Sequence, residues 1–371
     1  MGTIDGNLTA QTNHKDSSRN QGDNRMTERS IHSRKDEHIH ITLNEQVQGK
    51  GISTGFEYYR FEHQALPGIS FASIDTSAKF LDKQVKVPFL ISSMTGGTPR
   101  AHEINRNLAL AAEQKGWALG LGSSRVALEN KTAAASFQIR EQAPTIPIFA
   151  NIGAVQLNYG YGAEECSEIV RLTGADAIVL HLNSMQEVFQ DEGDTDFSGL
   201  LTKIAKVAEK LDIPIGVKEV GFGIAPDTCR QLIEAGAQFI DTAGAGGTSW
   251  IEVEKYRSRN PIKQRAASAF LDWGIPTAQS VEQLSGLSQP PECLIASGGI
   301  TNGVDAAKAI ALGADMAGYG RSILPEAVDS AEALIERFEQ LELELRISMF
   351  GIGVQDLEAL KNTDRLIRVN T

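Results

Sequence analysis

The stretch Asp241–Trp250, DTAGAGGTSW, decides how this chain is read. Gly244, Gly246 and Gly247 follow the strand-like segment Gln238–Ile240 directly. Glycine has no Cβ and tolerates positive φ, so such a run lets bare backbone approach a ligand. A turn of this kind either cradles an anion or closes a strand tightly onto a helix. Two more glycine turns follow, Ser297–Gly303 (SGGITNG) and Gly318–Ser322 (GYGRS), one strand and one helix apart. Successive βα turns of this type late in a chain match the phosphate site formed after strands seven and eight of a (β/α)8 barrel.

Working outward, short apolar runs occur at Val87–Ser92, Trp117–Leu121, Pro147–Asn151, Ala177–His181, Pro214–Lys218, Phe239–Thr242, Cys293–Ser297 and Met316–Tyr319. Segments between them, such as Leu108–Lys115, Leu200–Leu211 and Ala306–Leu312, carry helical periodicity, which predicts parallel strands with crossover helices. Strand entry reuses two devices. TGADAIVL, AGAQFIDT and LGADMAGY share a Gly-Ala-Asp/Gln junction suited to a left-handed helix cap. VPFLISS, IPIFANI and IPIGVKE share a proline at strand entry, where a missing N–H costs the ladder nothing. A doubly wound open sheet shows the same alternation. Polar residues decide between the two: Ser92, Ser93, Met94 and Thr95 end strand one, Ser123, Ser124 and Arg125 follow strand two, Asn151 ends strand three, His181 and Asn183 strand four, Lys218 and Glu219 strand five. An open sheet gathers ligand groups at one switch point, whereas polar carboxyl ends on five strands are the layout of an α/β TIM-barrel active site.

With 371 residues, 41% hydrophobic and 22% charged, the chain can bury a full barrel core. The N-terminal region is polar and no apolar run reaches the ~20 residues of a membrane span, so the expectation is a cytoplasmic protein with no membrane partner. Cys166, Cys229 and Cys293 lack metal-type spacing and are expected as buried, reduced thiols in helix, helix and strand. A net charge of −12 argues against nucleic acid and requires a local basic cluster or a metal for any anionic substrate.

Residues 1–30, almost free of large apolar side chains, read as a disordered tail, with Met26 a candidate alternative start. Residues 31–86 read as a polar, irregular arm carrying Arg34, Lys35 and His38 within SRKDEHIHI; residues 87–371 form the barrel with C-terminal helices. Alone, the basic segment reads as a solvated charge run.

A phosphate site at strands seven and eight, Lys218 at strand five and Asn151 at strand three suit flavin mononucleotide lying across the barrel mouth. An ammonium there stabilises anionic reduced flavin in a site of low dielectric; strand-end lysines also serve as Schiff-base or salt-bridge groups. No G-x-G-x-x-G occurs, which argues against a resident dinucleotide. After strand four comes Asn183–Phe197, NSMQEVFQDEGDTDF, either a solvated acidic loop or a source of one carboxylate for Mg²⁺. Mg²⁺ is commonly held by one or two carboxylates together with phosphate oxygens and water. Glu187 beside Gln186 fits that role, with Arg34, Lys35 and Arg125 gripping a diphosphate.

Taken together, SRKDEHI, SSMTGG, GLGSSR, ANIGAVQL, LHLNSMQE with EGD, VKEVGFG, DTAGAGGTSW, WGIPT, SGGI and SMFGIG resemble type 2 isopentenyl-diphosphate isomerase from about Ser33 to Leu360. The resemblance implies a (β/α)8 barrel that binds FMN and Mg²⁺ and interconverts isopentenyl and dimethylallyl diphosphate in isoprenoid biosynthesis. It also implies a homo-oligomer, tetramer or octamer. By position, Arg34, Lys35, Ser123, Ser124, Arg125 and Gln186 would bind substrate and Glu187 the metal. Ser92, Ser93, Met94, Thr95, Ser123, Asn151, Lys218, Thr248, Gly298, Gly299, Gly320 and Arg321 would contact flavin.

The implied reaction moves a proton across an unactivated allylic system, which ordinary side-chain bases serve poorly. Reduced FMN would act as the acid–base, NADPH serving only to reduce it, with His181 and Gln186 the candidate catalytic side chains. Two positions depart from the family pattern. Asp191 stands where proline is usual and leaves the acidic loop less rigid; Ala243 stands where serine is frequent and removes a hydroxyl. A 2-hydroxyacid oxidase would share barrel and FMN but needs a His–Arg pair that neither DTAGAGGTSW nor SGGITNG offers. An inosinate-dehydrogenase-like enzyme needs a loop cysteine. A non-catalytic barrel sensing a phosphorylated ligand would explain the glycines but not the polar ends of five other strands.

Overall fold

The computed structural model describes Gly2 and residues 34–369. The tail expected over residues 1–30, Met26 included, lies outside the described residues. Eight parallel strands close into a barrel in chain order: β1 Phe89–Ile91, β2 Ala118–Gly120, β3 Ile148–Gly153, β4 Ala177–His181, β5 Ile215–Lys218, β6 Phe239–Asp241, β7 Cys293–Ala296 and β8 Met316–Tyr319, with β8 paired to β1. Each expected apolar run holds one strand. Closure removes the open-sheet alternative.

Both entry devices have physical work at the amino-terminal rim. The carbonyls of Pro88, Pro147 and Pro214 accept the N–H groups of Ala317, Leu119 and Ile178 at 2.8, 2.9 and 3.1 Å, so each proline uses the one backbone group it has. Gly174, Gly236 and Gly313 adopt φ of 62°, 95° and 110°, as helix ends turning into strands require. The residue two positions on carries a second role. Asp176 accepts from Ile148 N–H at 2.8 Å, Gln238 from Ile215 N–H at 3.2 Å and Asp315 from Leu294 N–H at 2.8 Å, each clamping the neighbouring strand.

Alternation in the strands organises the interior. Leu90, Phe149, Val179, Phe239 and Ile295 pack together inside the barrel. Two residues further along, on the same face, stand Ser92, Asn151, His181, Asp241 and Ser297. The interior thus changes from apolar to polar toward the carboxyl ends. The opposite end is plugged by a hairpin, Ala78–Phe80 with Lys83–Val85, whose turn residues Leu81 and Asp82 take φ of 49° and 59°. Phe80 meets Phe239 and Phe149 edge-on, with centroids 5.6 and 6.5 Å away.

Residues 34–44 are helical, not irregular, and Ile39, Ile41 and Val47 are buried, so the arm is docked by its apolar side. Tyr59–Phe61 pairs antiparallel with Leu366–Arg368, tying this arm to the C-terminal segment. Helix Ala331–Gly351 packs on the barrel through Phe338, stacked on Trp117 at 3.8 Å. Cys166 and Cys229 are buried, but Cys293 is only part-buried, because it opens β7 at the rim. No described helix is long and apolar enough to cross a membrane.

Candidate functional site

The polar layer lies at the carboxyl ends of the strands. Strand register puts Gly153 beside His181, His181 beside Lys218, and Lys218 beside Asp241. His181 Nδ1 lies 2.6 Å from Asn151 Oδ1, so Nδ1 carries the proton and Nε2 stays an acceptor. Burial first, then the charges of Lys218 and Arg125, push the His181 pKa down to about 3, which keeps the imidazole neutral. Lys218 is buried, its Nζ donating to the Glu219 carbonyl. Glu219 Oε2 accepts the N–H groups of Val220, Gly221 and Phe222 at 2.6, 2.8 and 2.6 Å, which shapes the loop beyond β5. Burial pushes the Glu219 pKa up to about 7 against those donors.

Asp241 Oδ1 accepts from Ser297 Oγ at 2.6 Å and from Ala243 N–H at 3.2 Å, joining the β6 and β7 loops. Ala243 itself sits at φ 35°, a conformation that L residues rarely adopt, and the Asp241 bond helps hold it there. Burial raises the Asp241 pKa. The glycine loops interlock above: a Cβ at Gly298, where φ is 102°, would strike the Gly244 backbone, and one at Gly247 would strike Gly299. Thr248 continues this loop and bridges Gln48 of the arm. Gly320 and Arg321 begin the turn after β8, and burial lowers the Arg321 pKa.

This layer offers what a flavin phosphate and ring require. The glycines let the β6 and β7 loops pack backbone against backbone, Gly320 after β8 stands open, and the Ser92 and Ser93 hydroxyls are buried without a partner. Ser92 and Ser93 end β1, with Met94 part-buried and Thr95 buried behind them. The residues present fit FMN: Gly298, Gly299, Gly320 and Arg321 could hold its phosphate, and Lys218 and Asn151 its ring.

Cations gather beside it. Arg34 and Lys35 come from the docked arm and Arg125 from the start of helix Arg125–Glu129, which Ser124 precedes. Lys35 Nζ donates to the Ser123 carbonyl at 3.2 Å and lies 5.4 Å from the Phe137 ring centre. Burial, then Arg34 and Arg125, push its pKa down to about 7. Burial also lowers the Arg34 pKa, as do Arg125 and Arg257. Arg125 thus acts on both Arg34 and Lys35, so these cations stand close enough to disfavour protonation.

The carboxylate facing them is Glu187, on helix Ser184–Phe189. It is buried; Oε1 accepts from Asn183 Nδ2 at 2.7 Å and Oε2 from Asp194 N–H at 2.8 Å. Burial raises its pKa, while those donors and Arg34 oppose the shift. Gln190 Nε2 also reaches Oε2, at 3.4 Å, so one of the four lone-pair sites is left for a further ligand. Among the described residues no three His, Cys, Asp or Glu side chains cluster as a metal cage, so a divalent ion here would draw its other ligands from phosphate and water. The Asp191 carboxylate accepts from Ser258 Oγ at 2.6 Å and Arg259 N–H at 3.1 Å. That corrects the expectation of a looser loop: the side chain replaces proline's stiffness with a tether.

Sequence reasoning missed the carboxylate that ties this corner together. Glu254, on helix Trp250–Arg257, has a side chain only 1% exposed. Its Oε1 takes His38 Nε2 at 3.0 Å and Gln186 Nε2 at 3.1 Å, and its Oε2 takes Arg257 at 2.6 Å. Burial raises its pKa, but His38, Arg257 and Gln186 hold it below the usual carboxylate range. Nothing in EVEKYR sets this glutamate apart from a solvated helix face.

Comparison with known proteins places this arrangement. Residues 165–367, more than half of the chain, match the FMN-dependent dehydrogenase family. The isopentenyl-diphosphate delta-isomerase of Oceanobacillus iheyensis is 54% identical, the alignment covering 91% of this chain and 97% of that protein. The enzymes of the same name from Nostoc sp. and Rickettsia bellii are 48% and 46% identical, over 91% of this chain and 96% and 97% of theirs. Among solved structures, a sulfite-bound flavocytochrome b2 variant superposes with a TM-score of 0.65 at 18% identity, covering 89% of this chain and 82% of its own. The lactate oxidase of Pediococcus acidilactici does so at 0.60 and 18%, covering 87% and 89%. These two share the fold.

Proposed function

This chain belongs to the isopentenyl-diphosphate delta-isomerase family, and on that premise we propose that it interconverts isopentenyl and dimethylallyl diphosphate with FMN and Mg²⁺. One observation supports this above the rest. Arg34, Lys35 and Arg125, from two distant segments, crowd beside the buried Glu187 at the mouth of a barrel whose polar layer holds Lys218. Mutual repulsion of this kind is relieved by a polyanion, and a diphosphate with one divalent cation meets both halves of the site.

The side chains divide the work. Arg34, Lys35 and Arg125 hold the diphosphate, and Glu187 supplies one ligand to Mg²⁺. When bound in reduced form, FMN supplies a transferable proton and an electron-rich face for a cation-like carbon, NADPH serving to reduce it. Lys218 Nζ would set a positive charge beside a bound flavin ring and so favour its anionic form. Neutral His181 orients Asn151, and Gln186, fixed by Glu254, lines the proton path. With the diphosphate held by these residues, the short hydrocarbon would be confined beside the flavin site, turning an encounter into a positioned reaction.

Proton NMR in D₂O tests the reading. Purified protein with FMN, Mg²⁺ and isopentenyl diphosphate, kept anaerobic, should yield deuterated dimethylallyl diphosphate once dithionite reduces the flavin. Flavin that binds and is reduced without any exchange would sink the proposal.

A further inference from the structure

We infer that Gln156 and Asp194 form a positioning clamp that presents the Arg125 guanidinium to the diphosphate and keeps it in step with Glu187. The inference rests on the diphosphate reading above. Arg125 has a long, freely rotating side chain on a short helix, and something must select one rotamer if it is to meet an anion without an entropic penalty. Gln156 does so. It sits in the turn Ala154–Asn158 after β3, almost fully buried, and its Oε1 accepts from Arg125 Nη1 at 2.8 Å. Its Nε2 donates to Asp194 Oδ2 at 2.8 Å, and that same oxygen lies 3.6 Å from Arg125 Nη1.

The three groups close a triangle. Turning the Gln156 amide over would set its NH₂ against the guanidinium and its oxygen against the carboxylate, so only one orientation satisfies both neighbours. Glu129 lies 3.6 Å from Arg125 Nε. These contacts engage Nε and Nη1 and leave Nη2 for the anion. Asp194 adds the second link: its backbone N–H holds Glu187 Oε2 at 2.8 Å. One residue of the β4 loop thereby ties the diphosphate arginine of the β2 loop, through the β3 loop, to the carboxylate that faces the metal. Arg125 and Asp194 keep side-chain exposures of 23% and 32%, so the pair contributes little to stability, and its use lies in orientation.

The experiment uses the FMN- and Mg²⁺-loaded enzyme with Gln156→Met, Asp194→Ala and the double variant. Each single change should raise KM for isopentenyl diphosphate roughly tenfold, the scale of freeing one long side chain, with kcat within about threefold. The double variant should be no worse than either single, because both break one chain. Asp194→Ala keeps the backbone N–H on Glu187, so its Mg²⁺ dependence should match wild type. Calorimetric binding of inorganic diphosphate should weaken by the same factor. Unchanged KM and diphosphate affinity in both singles would overturn the clamp, as would a loss that tracks falling Tm or FMN content. If the wild-type enzyme fails to turn over isopentenyl diphosphate, the proposed function fails, and the diphosphate titration still decides the clamp.

Discussion

The two ends of the barrel treat charge in opposite ways. At the amino-terminal rim every charged group described above is answered: Asp176 takes Lys83 at 2.7 Å, Arg140 at 2.8 Å and the Ile148 N–H, and Asp315 takes Lys361 and the Leu294 N–H. At the carboxyl rim Arg125 helps lower the Arg34 pKa and both help lower that of Lys35, and Ser92, Ser93 and Asp241 Oδ2 are buried without partners. Closed hydrogen-bond circuits hold a fold together. Open ones are expensive to bury, and at the carboxyl rim a bound flavin or anion would complete them.

The sharpest break should come from Lys218→Met. Removing the ammonium beside the flavin ring should lower kcat by about 10²–10³-fold with the barrel still folded, measured by turnover and circular dichroism together. At the opposite rim, Asp176→Ala should do the reverse. It strands Lys83, Arg140 and a strand N–H, but partial exposure limits the cost to about 2 kcal/mol, read as a Tm lowered by several degrees with kcat/KM unchanged.

A pH profile sharpens the comparison further. Burial, Arg34 and Arg125 lower the Lys35 pKa from 10.5 to about 7, so the free enzyme loses this proton as pH rises through 7. An anion binds the protonated form. Affinity for diphosphate should therefore fall up to about tenfold between pH 7 and 8, and Lys35→Gln should flatten that slope. The same shift acts on stability. Between pH 7 and 10.5 the unfolded chain holds more protons than the folded one, so the burial cost of Lys35 stands in full below 7 and is relieved as pH rises through that window. The smallest effect belongs to Lys361→Met: its pair with Asp315 is more than a third exposed on both sides, and its loss should cost less than ~1 kcal/mol by denaturant melts.

The rims also differ in how far the sequence reveals them. The amino-terminal devices are local and repeated. Gly-Ala-Asp, Gly-Ala-Gln and the entry prolines each act within one βα unit, so eight strands and their order could be read from pattern alone. Even there the reason for the Asp or Gln, a clamp on the neighbouring strand, needed coordinates. At the carboxyl rim the single residues at strand ends were visible, because a polar group closing an apolar run stands out.

Their partners were not. His38 meets Glu254 across a sequence separation of 216 residues and Gln156 meets Asp194 across 38, and no periodicity links such pairs. Glu254 looks solvated in its helix yet is buried, because the arm covers it. Asp191 shows the converse error. A missing proline suggested a looser loop, whereas Ser258 and Arg259 supply the restraint from another element.

The measurement that bears most directly on the contrast is a calorimetric titration of isopentenyl diphosphate into the FMN- and Mg²⁺-loaded enzyme, comparing Arg34→Met, Lys35→Met and Arg125→Met with Asp176→Ala. The three carboxyl-rim variants should each lose about 10- to 100-fold in affinity and show a shallower salt dependence, while Asp176→Ala binds as wild type does. Equal affinity in all four would contradict the account, since the cations crowded at the barrel mouth would then have no diphosphate to hold.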